Sequence, residues 1–389
     1  MLALVSQVFV FVSLEHLLYL SRFILVAPIT YQLFTAALLI IFIGLVVALP
    51  KLAKRSSVSF ALVALNLGLL IYAVETYTIE PELKSVRLIQ HRVVGSSAVH
   101  SWSTRTGHFF QSHSEGGNEV FATNNRLATE PWWQQQDKLP EQLLLVLNES
   151  WGVPTNPLIQ QEVLLPIAEL VSDGYIAKLT DGQLPFTGAT VDSELKALCR
   201  LAVHNFNLRN LEAGFENCLP NQLAAQGYFT QSLHAAAGVL YDRIHWYPMA
   251  GFQKSKFFEH YTWQRRCFSY PGGCDFEAID FVAEAFAEHP KLFFYWLTLN
   301  THAIYDRRDI VIDDFDCEAF AINPRTQSCR NLILQKQFFT VLANKIRTGA
   351  FSGAEILIVS DHDPVITNLA EKEENFEIAQ IPWIRFKVL

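Results

Sequence analysis

The chain is short of basic charge. Its 30 lysines and arginines face 38 aspartates and glutamates, for a net charge of −8. Nucleic-acid binding wants a basic face, and the composition offers none. Charge of either sign is scarce at 17%, while half of the residues are hydrophobic. Residues 23–49 and 57–74 hold no charge at all, and in residues 2–20 Glu15 and His16 are the only groups that carry charge near neutral pH. Each run is near the ~20 residues that cross a bilayer. Inside a membrane Glu15 and His16 are costly unless paired or turned to a bundle interior. They read as a helix-packing pair, or as a sign that the first run lies partly in the interface. A cleaved signal peptide needs a basic start and a small-residue cleavage site, and the first run lacks both. Residues 1–75 therefore read as a transmembrane anchor of up to three helices. No internal repeat is visible, and no cysteine precedes Cys199.

The loop Lys51-Leu-Ala-Lys-Arg55 sets the orientation, because basic residues collect on the cytoplasmic side. Everything after residue 75 is then extracytoplasmic, at the outer face of the cytoplasmic (inner) membrane. All six cysteines fall in that part, as suits disulfides in an oxidising compartment. Short gaps favour Cys199–Cys218, Cys267–Cys274 and Cys317–Cys329. A zinc cluster is the rival reading, although no pair of C-x2-C knuckles is present.

Residues 76–138 read as a linker or juxtamembrane segment. Its Trp132 and Trp133 either anchor in the membrane interface or pack on the domain that follows. Over 139–389 short apolar runs alternate with helical spacing. Strands are expected at 142–147, 228–233, 292–299, 355–359 and 382–388, and helices at 190–206, 276–287 and 331–346. This pattern predicts an α/β fold, a mixed central sheet with helices on both faces.

In open α/β sheets, sites form beyond the carboxyl ends of the strands. Residues 142–147 are followed by Asn148-Glu149-Ser150, residues 292–299 by Asn300-Thr301-His302, and residues 355–359 by Ser360-Asp361-His362. Three strands thus deliver Glu149, His302 and the Asp361–His362 pair to one edge. Carboxylates with an imidazole suit zinc or manganese. A nucleophile candidate lies in Gly188-Ala-Thr190-Val-Asp-Ser-Glu194, where a glycine leads into a threonine at a helix start. A helix N-terminus suits an anion such as phosphate, and a threonine hydroxyl becomes a nucleophile once a metal or base activates it. The bland alternative makes Thr190 an N-cap.

With these motifs in order, residues 140–389 resemble the alkaline phosphatase/sulfatase superfamily. The branch is that of lipoteichoic-acid synthase, the phosphoglycerol transferases and the phosphoethanolamine transferases. Glu149 in E-S-W-G stands at the family's first metal carboxylate. Thr190 in G-A-T-V-D-S-E stands at its phosphate-accepting threonine, and Asp361 and His362 in V-S-D-H at its final metal pair. His302 in L-N-T-H-A-I-Y resembles the phosphate-binding histidine. His234, followed by Tyr241-Asp-Arg243, resembles an H-x(n)-F/W-x-R stretch that grips substrate phosphate. Outside the resemblance, His234 reads as a core histidine and Arg243 as a surface ion pair. Ala303-Ile304 replaces the family's x-Pro, Tyr241 stands where tryptophan is frequent, and the anchor has three spans at most against five. The sulfatase motif C/S-x-P-x-R has its nearest match in Cys218-Leu-Pro-Asn-Gln222, which lacks the arginine.

The resemblance implies a metal-dependent phosphotransferase with one divalent metal held by Glu149, Thr190, Asp361 and His362. It would move a phosphoglycerol or phosphoethanolamine group from a phospholipid donor to an envelope glycan or lipid acceptor. Thr190 would carry the covalent intermediate, and His234, Arg243 and His302 would hold the phosphate. A hydrolase on the same scaffold, or a non-enzymatic membrane binding protein, remain the alternatives.

Overall fold

The computed structural model describes residues 120–389 apart from 124–126, 136–137, 204–205 and 210, together with most of the segment 21–70. The chain divides into two compact units, residues 1–115 and 116–389.

In the first unit, Ile29–Ala53 forms helix α1. Its stretch Tyr31–Ala48 has a mean hydropathy of 2.3 and is long and apolar enough to cross a membrane. Leu33, Ile40 and Val47 are exposed along it, an arrangement that costs little only in a nonpolar solvent. The third apolar run is helical over most of its described residues 57–70. The first run and residues 71–119 lie outside the described residues.

The second unit is built on strands β1 (Val120–Ala122), β2 (Gln142–Asn148), β3 (Ile176–Pro185), β4 (Leu201–Val203), β5 (Phe229–His234), β6 (Lys254–Phe257), β7 (Arg266–Cys267), β8 (Gly272–Gly273), β9 (Leu292–Leu297), β10 (Glu355–Ser360) and β11 (Gln380–Val388). Seven of them form one mixed sheet in the order β3-β11-β10-β2-β9-β5-β6. The run from β10 to β6 is parallel, while β11 is antiparallel to both β10 and β3. β1 pairs with β4, and β7 with β8, as small antiparallel ribbons.

The helices used below are α2 (Glu130–Gln134), α3 (Pro157–Val163), α4 (Leu165–Ser172), α5 (Thr190–Cys199), α6 (Leu219–Ala225), α7 (Arg243–Ala250), α8 (Asp275–Glu288) and α9 (Gln327–Arg347). Leu144, Val146, Phe294, Trp296, Ile356 and Ile358 share one core with residues of α3, α4, α8 and α9. On the opposite face Phe293 meets Trp132 of α2 edge to face, and Tyr295 meets Tyr247 of α7. Both faces are covered, which is why 143–147 is an unbroken apolar run rather than an alternating one. Trp132 is buried and its Nε1 donates to Glu355 Oε1 at 2.5 Å. It packs on the domain rather than serving as a membrane anchor.

Two of the expected disulfides are present, Cys199–Cys218 and Cys317–Cys329. The first links the end of α5 to the start of α6, and the second lies beside α9. The third expectation is not met. Cys267 and Cys274 are buried thiols with Sγ atoms 2.9 Å apart and no bond between them. They belong to different elements, β7 and the residue capping α8, and the hairpin between them stops short of bonding distance.

Candidate metal and phosphate site

The parallel strands bring their carboxyl ends to one edge, with Ser360 level with Asn148 and both Leu147 and His234 level with Leu297. Glu149 follows β2 directly. Ser150 takes a left-handed backbone at φ 54°, and its N–H donates to Asp361 Oδ1 at 2.7 Å. Polar residues of α9 hold this turn. Gln335 Nε2 donates to the Glu149 carbonyl at 3.0 Å, and Asn331 Nδ2 to the Ser150 carbonyl at 2.9 Å. From the β9 side, Thr298 Oγ1 accepts from Glu149 N at 2.9 Å, and Thr301 Oγ1 donates to the Glu149 carbonyl at 2.6 Å. Gly152 is obligatory, because a Cβ there would sit 2.5 Å from Pro364 and 2.6 Å from Phe376.

Asp361 and His362 leave β10 beside this turn. Asp361 Oδ1 accepts from the N–H groups of Ser150 and His362, both at 2.7 Å. Its Oδ2 accepts from the Thr190 hydroxyl at 2.9 Å. His362 Nδ1 lies 2.9 Å from the Asp363 carbonyl, the contact that fixes which ring nitrogen turns inward. His362 Nε2 then faces Glu149 Oε1 at 3.4 Å and Asp361 Oδ2 at 3.3 Å. Ligand atoms of Glu149, Asp361 and His362 all lie within 4.8 Å of one another, and all three residues are buried. Burial, and then the neighbouring Asp361 carboxylate, hold the Glu149 carboxyl well above the usual carboxylate range. Two carboxylates side by side in a desolvated pocket call for a positive charge between them. A divalent cation fits this set of donors.

Thr190 is the first residue of α5, and Ala189 occupies the cap position. The bland N-cap reading therefore fails, since Asp192 does the capping through Oδ2, which accepts from Ala189 N at 2.8 Å. The Thr190 hydroxyl is left to turn toward Asp361. Gly188 is required here, because a Cβ would come within 2.9 Å of the Asp192 carboxyl. Burial pushes Asp192 up to about 6. Its role went unread in the sequence, although an acid three residues after a cap is a helix-start signal.

His234 ends β5 and is buried, with Nδ1 3.1 Å from the Leu297 carbonyl. Burial, with Arg243 and His302 adding to it, keeps the ring neutral well below its ordinary range. His302 has Nδ1 at 2.6 Å from the Ala303 carbonyl, and burial lowers it to about 4. The Tyr270 ring lies against it at 4.7 Å between centroids. Sequence reasoning missed Tyr270, which sits in a hairpin with no motif of its own.

Arg243 is anchored by a buried acid. Its guanidinium is buried and bound to the buried carboxylate of Glu194, with Nη2 at 2.7 Å and Nε at 3.0 Å from Oε2. Its Nη1 donates to the Leu240 carbonyl at 3.3 Å. Tyr247 and Tyr295 also donate to Glu194. These donors are taken up by Glu194, which would otherwise be an uncompensated buried charge, while the Arg243 charge still acts on Glu149 and His234. The turn just before it is strained, with Tyr241 and Asp242 both at φ 53°.

The second unit is thus an α/β domain with a hydroxyl, two carboxylates and three imidazoles at the carboxyl edge of its sheet. It is similar to several solved structures. Among them is the lipoteichoic acid synthase LtaP from Listeria monocytogenes, with 16% identity, a TM-score of 0.46, and coverage of 63% of this chain and 64% of that one. An alkaline phosphatase superfamily protein from Vibrio parahaemolyticus matches at 16% identity and a TM-score of 0.45, over 64% of this chain and 60% of that one. The periplasmic domain of EcEptC from Escherichia coli, solved with zinc, matches at 16% identity and a TM-score of 0.43, over 65% and 74%. The chain thus spans less than two thirds of the length of the first two. No family model and no curated protein matches it.

Proposed function

We propose that the chain is a membrane-anchored, metal-dependent phosphotransferase acting outside the cytoplasm. It moves a phosphoglycerol or phosphoethanolamine group from a phospholipid to an envelope glycan or lipid. The observation that carries this reading is the 2.9 Å hydrogen bond from Thr190 to Asp361, which seats a hydroxyl inside the carboxylate–imidazole cluster. Glu149, Asp361 and His362 would hold one divalent cation, zinc or manganese, with the Thr190 oxygen beside it. Such a cation supplies positive charge that acidifies the hydroxyl and neutralises phosphate oxygens.

Thr190 Oγ1 attacks the phosphorus of the donor and gives its proton toward Asp361. The bond to the diacylglycerol oxygen breaks, that oxygen takes up a proton and leaves as diacylglycerol, and the head-group phosphate stays on Thr190. An acceptor hydroxyl then attacks the same phosphorus and releases Thr190. His302, neutral at pH 7, holds a phosphate oxygen, and one of the site's histidines takes the proton of that acceptor hydroxyl. His234 lies nearby and orients the phosphate. Arg243 acts at one remove, holding Glu194 on the helix that carries Thr190.

Intact-mass analysis after incubation with phospholipids tests the scheme. Added mass of a phosphoglycerol or phosphoethanolamine group, mapped to Thr190, names the group. Release of free head group with no adduct in a Thr190→Ala background would place a hydrolase ahead.

A further inference from the structure

One buried cluster has no part in that reaction. Cys267 lies in β7 and Cys274 caps α8, with 2.9 Å between their Sγ atoms. Asn300 Nδ2 donates to Cys267 Sγ at 2.8 Å. The Asp275 carboxylate accepts from Leu299 N at 3.0 Å and Asn300 N at 2.7 Å, and Asp275 N donates back to Asn300 Oδ1. Farther along the same hairpin, Phe268 and Ser269 donate from their N–H groups to Asp309 at 2.9 and 2.7 Å. Asp306 N donates to Ser269 Oγ at 2.7 Å. The hairpin 266–273 is therefore tied to both ends of the loop 299–309. That loop carries His302, and the hairpin lays Tyr270 against it.

The ligand atoms of Cys267, Cys274 and Asp309 also lie within 4.8 Å of one another, so a metal site is the rival reading. Two thiolates on one tetrahedral zinc, at about 2.3 Å each, stand roughly 3.7 Å apart. The observed separation is well inside that. Both Asp309 oxygens are already engaged by backbone N–H groups. Burial, and then the adjacent Cys274, push the Cys267 thiol above its ordinary range, so it rests as a neutral thiol. A covalent bond at about 2.05 Å needs an approach of less than 1 Å.

We propose that Cys267 and Cys274 are a reversible dithiol–disulfide pair that sets the position of His302, a positioning role whose catalytic consequence rests on the phosphotransferase reading. Oxidation breaks two S–H bonds and forms one S–S bond. Two electrons and two protons pass to a disulfide-bearing oxidant, whose own S–S bond breaks to give two thiols. The closed pair fixes the hairpin to the start of α8 and, through Asn300, the loop two residues short of His302. Thr301 ties the same loop to the Glu149 carbonyl, while Thr190, Asp361 and His362 stand on other elements, so the pair acts chiefly on phosphate and acceptor placement.

The test uses the full chain in detergent. Reductant is set at a level that peptide mapping shows to spare Cys199–Cys218 and Cys317–Cys329. Hydrogen exchange over 299–305 is measured in both states, with KM and kcat for head-group release from phospholipid. Reduction is expected to speed exchange severalfold and raise KM severalfold with kcat little changed, and reoxidation to restore both. A Cys267→Ser/Cys274→Ser variant should show reduced-state values under either condition. If it does not fold, the wild-type comparison decides alone. Equal exchange in the two wild-type states, a variant that still responds, or zinc held by the pair each overturn the proposal. Redox-dependent exchange in a protein that releases no head group would sink the transferase reading and leave the switch standing.

Discussion

The Thr190 hydroxyl donates to Asp361 Oδ2 at 2.9 Å, joining the first residue of α5 to the residue that follows β10. Asp192, two residues on, does not compete for that hydroxyl, since its carboxylate already caps the helix. The proton that must leave the nucleophile therefore points at a carboxylate that also belongs to the proposed metal set.

Thr190→Ala should abolish transfer and leave folding and metal content largely intact. No cap is lost, because capping resides in Asp192, and the hydrogen bond removed from Asp361 costs roughly 1.5–3 kcal/mol. Thr190→Ser keeps the hydroxyl but loses the methyl that restricts its rotamer, and should retain part of the activity. Head-group release with metal analysis on the same samples checks both. Near wild-type turnover by Thr190→Ala would exclude the covalent route.

Glu194→Gln should be the more damaging change for stability. It strips the charge from the carboxylate that pairs with the buried Arg243 guanidinium, and breaking such a buried pair costs roughly 3–5 kcal/mol. Arg243→Lys should behave similarly, since a lysine cannot reproduce the forked contact. A Glu194→Met/Arg243→Met double variant should recover much of the melting temperature. Equal destabilisation in the single and double variants would contradict the pairing.

The core strands were legible because they are apolar and covered on both faces, as in 142–147, 292–297 and 355–359. The edges were not. β3 (Ile176–Pro185) alternates weakly and carries Lys178, Asp181 and Gly182, while β6 reads Lys-Ser-Lys-Phe. Lysine on an edge strand guards against unwanted pairing, and it removes the hydrophobic signal that identifies a strand. The helix expected over 190–206 ends at Cys199, because Arg200 turns left-handed at φ 57°. Glu149, Asp361 and His362 could be read as strand-end residues. The ion pair of Arg243 could not, because its partner Glu194 lies 49 residues away and nothing local marks the pairing.

His302 should make the protein acid-sensitive. Its folded-state value of about 4 lies below the ordinary 6.5, so the unfolded chain binds the proton first. The resulting stability is full above pH 6.5 and is lost as pH falls toward 4. His302→Gln should narrow the gap in melting temperature between neutral and acid solution. An unchanged gap would mean that the ring is not buried as a neutral group.

Orientation is checked separately. The sequence gathers the basic residues Lys51, Lys54 and Arg55 between two apolar runs, and the cytoplasmic side holds such clusters. A reporter fused after residue 389 should be active only outside the cytoplasm, and the two formed disulfides should appear in non-reducing peptide maps. Cytoplasmic reporter activity would remove the route to a lipid donor in the outer leaflet.

Metal removal should expose the strain in the carboxylate pair. Burial and Asp361 raise Glu149 well above its ordinary 4.5, so the folded, metal-free protein holds that proton more tightly than the unfolded chain. Stability from this group is present below the unfolded value and is lost as pH rises through the folded one. Chelated protein should therefore melt lower as pH is raised from mildly acid to mildly alkaline, opposite in sign to the His302 effect. A divalent cation should reverse the loss and release protons on binding, since its ligands must be deprotonated. Glu149→Gln keeps the shape and removes the charge. It should flatten the alkaline loss in the chelated protein while abolishing both metal uptake and transfer. Calorimetric titration with zinc and with manganese in two buffers of different ionisation enthalpy measures the proton release directly. Metal bound equally well by Glu149→Gln would take Glu149 out of the ligand set and leave Asp361 and His362 to be tested alone.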